Sequence, residues 1–151
     1  MRAFALAGLL LMTGFGLADA APDGAALFTR CAACHLPTGE GVPGSFPALR
    51  GQIVRFARKP AGREYMVTVV THGLTGSLKA NGAAFDSFMP AQVLTDDQAA
   101  AVLTYVVNDI AGARPPVQPF SPAEVAAIRA RHASANAQAS RALRPDALAG
   151  K

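Results

Sequence analysis

Cysteine occurs twice in this chain, at Cys31 and Cys34, and a histidine, His35, follows directly. The run Cys31-Ala32-Ala33-Cys34-His35 has the C-x-x-C-H spacing of covalent c-type haem attachment. The spacing has a physical basis. Two thiols three positions apart at a helix end can each add across one of the two haem vinyl groups, giving two thioethers. The adjacent imidazole then lies beneath the iron and can act as its proximal ligand. Other chemistry open to a cysteine pair fits less well. A thioredoxin-like dithiol calls for a βαβ context that is not visible, and zinc calls for two more soft ligands, with only His72 and His132 left.

A haem held this way takes its second axial ligand from far along the chain, commonly a methionine thioether, which raises the reduction potential. Met1 and Met12 belong to an N-terminal leader, and Met66 sits in an apolar helical pattern where core packing is its natural role. Met89 stands in Phe88-Met89-Pro90, in a loop before a helix cap, where a rigid turn could aim the sulfur inward. Met89 is therefore the candidate sixth ligand. His72, beside Gly73, reads as a helix-end residue, and His132 as a solvated residue of the tail.

Several elements must position these groups. The stretch Asp23 to Cys34 is expected to be helical, and residues 36–51, with four glycines and three prolines, to be loop. Arg63 to Thr71 is a second helical stretch, stopped near Gly73. The Asn81-Gly82 pair predicts a turn, with a small hairpin around it. Thr95-Asp96-Asp97-Gln98 is a capping box opening a helix to about Ile110, with Ala99, Val102, Leu103, Val106 and Ile110 on one face. Ser121-Pro122-Ala123-Glu124 is a second capping box, opening an alanine-rich tail that cannot build a core of its own.

Length and composition agree with one small domain built around a bulky group. The chain has 151 residues, 51% hydrophobic but only 7% aromatic, with no tryptophan. So little aromatic bulk in a short chain often means help from a large cofactor. Residues 1–20 read as a signal peptide: Arg2, an apolar run too short to span a bilayer, then Ala18-Asp19-Ala20 as a cleavage site. The mature chain then begins at Ala21 in the periplasm, with no transmembrane anchor. Residues 121–151 hold five Lys/Arg against two Asp/Glu, whereas residues 21–120 hold eight against seven. Basicity thus belongs mainly to the tail, where an acidic protein surface or anionic lipid is a more sensible partner than nucleic acid.

Taken together, these residues resemble a monohaem class I cytochrome c over roughly Asp23 to Ile110. The phrase from His72 to Met89-Pro90 is similar to small cytochrome subunits of periplasmic oxidoreductases. The resemblance implies an all-α fold whose terminal helices cross around one covalently bound haem c, with a C-terminal helical extension. It implies a cytochrome domain over residues 21–114 and a Pro-rich linker with a basic helical tail over 115–151. It makes Cys31 and Cys34 the attachment points, and His35 and Met89 the iron ligands. Phe46-Pro47-Ala48-Leu49-Arg50-Gly51 resembles the family's Pro-x-Leu segment. There a proline carbonyl, here Pro47 with Pro43 as fallback, orients the histidine, and Leu49 lines the haem face. Gly24, Phe28 and Tyr105 resemble the residues at the helix crossing. Phe46, Leu49, Val67, Val70, Phe85 and Phe88 would supply a dry shell. The implied function is outer-sphere transfer of single electrons between periplasmic redox proteins, with no catalytic site. The alternative is a dedicated electron-accepting subunit bound stably to a periplasmic dehydrogenase or reductase.

Overall fold

The computed structural model describes residues 20–149, so the signal-peptide expectation falls almost entirely outside the described residues. Helix α1 (Gly24–His35) begins where the Asp23 carboxylate accepts a hydrogen bond from the Ala25 N–H at 2.9 Å. It ends at Leu36, whose positive φ turns the chain out of the helix right after the C-x-x-C-H run. The loop that follows is irregular but pinned. The Leu49 N–H donates to Gly39 O at 2.8 Å, and the Arg50 guanidinium donates to Thr38 O at 2.7 and 3.1 Å. Gly41 sits so close to the returning chain that a Cβ there would lie 2.4 Å from Phe46 O.

A short helix absent from the sequence reading, α2 (Gln52–Ala57), packs on α3 (Pro60–His72). The α3 helix starts three residues earlier than its hydrophobic pattern indicates, with Pro60 at its first turn. Strands β1 (Leu74–Ala80) and β2 (Ala83–Met89) form an antiparallel hairpin, in register from Leu74 opposite Met89 to Ala80 opposite Ala83. Its two-residue turn is Asn81-Gly82, both at positive φ (50° and 82°), as a type I′ turn requires.

Helix α4 (Asp96–Tyr105) carries the full capping box, with Thr95 and Gln98 bonded reciprocally. It does not continue to Ile110 as a regular helix. From Val106 to Ile110 it widens into one π turn, closed by the Ala111 N–H donating to Val106 O. The α1 and α4 helices cross at close range. A Cβ on Gly24 would meet Ala101 O at 2.6 Å and Tyr105 Cβ at 2.8 Å, so only glycine permits this approach. The Phe28 and Tyr105 rings fill the angle, with centroids 5.7 Å apart.

The chain after α4 wraps back over the domain. Asn108 exchanges two hydrogen bonds with the Val117 backbone, and the Thr104 hydroxyl accepts from the Phe120 N–H. Helix α5 (Pro122–Arg131) buries Val125 and Ile128 in the main core. Glu124 does not complete its capping box. The Ser121 hydroxyl accepts from the Glu124 N–H, but the Glu124 carboxylate pairs with Arg63 at 2.6 Å instead. Helices α6 (Ala137–Ala142) and α7 (Asp146–Ala149) then cover β1 and α2. Apart from one hairpin, the described chain is helices and connections, a mostly α fold.

Candidate functional site

One cavity lies at the centre of these elements, lined by residues from α1, the Pro47 loop, α2, α3, the hairpin, α4 and the tail. Cys31, Cys34, His35, Pro47, Leu49 and Met89 all line it. The six candidate residues, drawn from 58 residues of chain separation between Cys31 and Met89, therefore share one space.

His35 is the best-defined of them. It is buried, and its Nδ1 lies 2.8 Å from the Pro47 carbonyl oxygen. A carbonyl can only accept, so Nδ1 carries the proton and donates. Nε2 is left with its lone pair, the form a metal needs. Burial holds the imidazole pKa below its ordinary value, partly offset by the Pro47 bond. The ring is thus neutral at physiological pH. Cys31 and Cys34 are partly buried and form no disulfide with each other, and before any attachment burial pushes the Cys31 thiol up despite the opposing charge of Arg30.

Met89 is the last residue of β2 rather than a loop residue. The hairpin register explains how it reaches the cavity. Leu74 stands opposite Met89 and Leu78 opposite Phe85, so these side chains share one face of the ribbon. Leu74, Leu78 and Met89 all line the cavity. Gly73, at positive φ, lets the strand end close in, since a Cβ there would lie 2.7 Å from Met89 O. After Pro90, the Gln92 N–H donates to Val70 O at 2.8 Å and ties the segment to α3. Met66 also lines the cavity and is buried, so the thioether choice lies between two methionines on one wall.

The expected dry shell needs correcting. Leu49 and Val70 do line the cavity. Val67 is buried in the main core, and Phe85 packs with Leu78 and Ala80 in a separate hairpin cluster. Phe46 is half-buried away from the wall, while Phe88 is 62% exposed, because it alternates with Met89 on the pleat and faces outward. The wall is completed instead by Leu27, Ile53, Phe56, Leu94, Val102, Leu103 and Val106. His132 is not a solvated tail residue either; its Nε2 donates to Glu64 at 2.8 Å. His72 ends α3 with its Nδ1 2.7 Å from the Thr71 hydroxyl.

Gln52, Tyr65 and Arg144 are among the polar side chains on the wall that had no sequence signal. Arg144 donates to the Gln52 side-chain oxygen at 3.1 Å, to the Lys79 carbonyl and to Asp146 at 2.8 Å. Burial raises the Tyr65 hydroxyl pKa, with Arg144 opposing.

The arrangement fits a haem. Two thiols stand three residues apart, a neutral imidazole is locked by its outer nitrogen, a thioether is available, and the remaining wall is mostly hydrocarbon. A zinc site has no comparable support, since no cluster of three or more His, Cys, Asp or Glu exists among the described residues. The cytochrome c family model matches residues 21–109. The chain belongs to the cytochrome c family. It is also 36% identical over 129 residues to a cytochrome c-552 of Thermus thermophilus, spanning 83% of this chain and 86% of that protein. A second Thermus thermophilus cytochrome c-552 is 35% identical over 112 residues, or 72% of this chain and 86% of the relative. A class I monohaem cytochrome c is an electron-transfer protein rather than an enzyme. Its haem c is bound through cysteine, and Cys31 and Cys34 are the only cysteines of this chain.

Proposed function

We propose that this cytochrome is an exported, periplasmic single-electron carrier whose iron is held by His35 and Met89. The observation that carries the reading is the His35 Nδ1–Pro47 O bond at 2.8 Å on a cavity shared with both cysteines and Met89. The haem supplies the one-electron couple of its iron. The protein's own residues decide how that couple behaves. Pro47 fixes the tautomer and plane of His35, keeping Nε2 as the basic nitrogen. Met89, anchored by the hairpin register on one side and the Gln92–Val70 bond on the other, offers a soft sulfur that favours the reduced state. The hydrocarbon wall excludes water and disfavours the extra positive charge of the oxidised state. Two protein ligands leave no open position for a substrate, so the transfer is outer-sphere.

Free exchange between redox partners is favoured over permanent membership of a larger enzyme by the tail. Its arginines are turned onto the domain: Arg129 to Asp96, Arg131 to Glu64, Arg141 to Ser77 O and Arg144 to Gln52. Each of those charges already has a partner within the chain, so an acidic surface would have to compete for it. Among the described residues no helix is long and apolar enough to cross a membrane. Size-exclusion of a gentle native periplasmic extract, tracked by haem absorbance at low and high salt, tests this. A small monomer at both salts is expected. Haem travelling with a large oxidoreductase at both salts would make this cytochrome a dedicated subunit, and haem absent from the periplasm would remove the location.

A further inference from the structure

Arg144 lies in the tail, 35 residues beyond the region matched by the family model, yet its side chain is only 2% exposed and lines the haem cavity. A guanidinium is costly to bury, and it stays charged at any accessible pH. Among the described residues its only ionic partner is Asp146, whose side chain is 66% exposed and therefore screened by water. The other contacts carry no charge: Gln52 from α2, Tyr65 Oη at 3.5 Å from α3, the Lys79 carbonyl from β1, and the Phe56 and Tyr65 rings, whose centroids lie 5.3 and 5.8 Å from the guanidinium carbon. The guanidinium has five N–H donors, and these acceptors leave capacity at Nη1, which among the described residues makes only the long contact to Tyr65. Arg30 is the other cation on the wall, but it is exposed and close to the cysteines.

We infer that Arg144, with Tyr65 and Gln52, forms a carboxylate-binding subsite for a haem propionate, and that the tail is thereby part of the haem site. The inference rests on the haem reading above. A haem's two propionates lie on the edge of the ring away from its two vinyl groups. Thioethers at Cys31 and Cys34 therefore turn the carboxylates away from α1, and the buried cation of the cavity comes from the tail and sits against α2, α3 and β1. Hydrocarbon walls suit the ring; a planar fork of donors beside a hydroxyl suits one carboxylate. The pairing also closes a loop of mutual support. The carboxylate compensates the buried guanidinium, and the guanidinium holds residues 140–149 against the domain.

The test uses the holoprotein and its Arg144→Gln, Arg144→Lys and Tyr65→Phe variants. Loss of the cation beside the haem should favour the oxidised state. Arg144→Gln is expected to lower the reduction potential by about a tenfold change in the oxidised-to-reduced ratio, ~59 mV for one electron. Arg144→Lys should restore most of the potential but not the propionate bending band in resonance Raman, which reports bonding to the fork. Tyr65→Phe, which keeps the ring packing, should shift that band with little change in potential. Limited proteolysis should cut Arg144→Gln within the tail sooner than the parent. An unchanged potential and an unchanged propionate band in haem-loaded Arg144→Gln would overturn the inference and leave the haem reading intact. A parent protein with no covalent haem, judged by its pyridine haemochrome spectrum, would overturn both.

Discussion

At the residue scale the site depends on which sulfur faces the iron, and two methionines share the wall. Met66 is held on α3 with 5% exposure, inside a continuous apolar core. Met89 is half-buried at a strand end and flanked by Pro90, with its backbone held by the hairpin register and the Gln92–Val70 bond. Replacing Met89 by alanine is therefore expected to abolish the iron–sulfur charge-transfer absorption of the oxidised form and to lower the potential. Met66→Ala should keep the band and instead cost about 2–5 kcal/mol of stability, the usual loss for a buried methionine. Optical spectra and urea unfolding of the two variants separate these roles, and loss of the band in Met66→Ala alone would reverse the assignment. The motif residues were legible in sequence because their spacing is itself the chemistry. Phe88 was misread because, beside Met89 in a supposed loop, it counted as a pocket residue. In a strand, adjacent side chains point to opposite faces.

At the scale of elements, the parts with local chemical signals could be read and those made by tertiary contact could not. The Asn81-Gly82 turn and the Thr95 capping box each carry their own instructions, and both occur where expected. Helix α2 has six residues, too few for a hydrophobic period, and it exists because Phe56 is wholly buried against α3. Gly62 allows that contact, since a Cβ there would fall 2.2 Å from Phe56 O. The π turn after Tyr105 likewise has no sequence marker. The crossing of α1 and α4 is the element contact most exposed to test. Gly24→Ala gains intrinsic helix propensity, up to ~1 kcal/mol in a helix interior and less at an end. It also forces a methyl to 2.6 Å from Ala101 O, an overpacking that costs about 1–3 kcal/mol. A net loss of stability by urea unfolding is the expected outcome; a more stable variant would show that the crossing can slide apart freely.

At the scale of the whole molecule, the tail is a strap whose hold depends on carboxylates. Sequence showed a basic, alanine-rich appendage unable to build a core of its own. It did not show that Val125 and Ile128 complete the main core, or that the strap's cations find acids on α3 and α4. Two of the fastening groups have shifted titrations. The hydrogen bond from His132, followed by contacts with Arg131, holds Glu64 below the usual carboxylate range against the opposing effect of burial. The Arg63 guanidinium does the same for Glu124. A carboxylate whose folded pKa is depressed binds protons more readily once unfolded, so its stabilisation is complete above the unfolded value of about 4.5 and drains away as pH falls through the folded one. Acid should therefore loosen the strap before the neutral contacts of the core fail. Unfolding midpoints in urea are expected to hold steady from neutrality down to about pH 5 and then decline. Glu64→Gln with Glu124→Gln should be less stable at pH 7 and should flatten that decline, because the doubly substituted protein has lost the two groups that release it. A decline of undiminished steepness in the double variant would place the acid sensitivity elsewhere in the molecule.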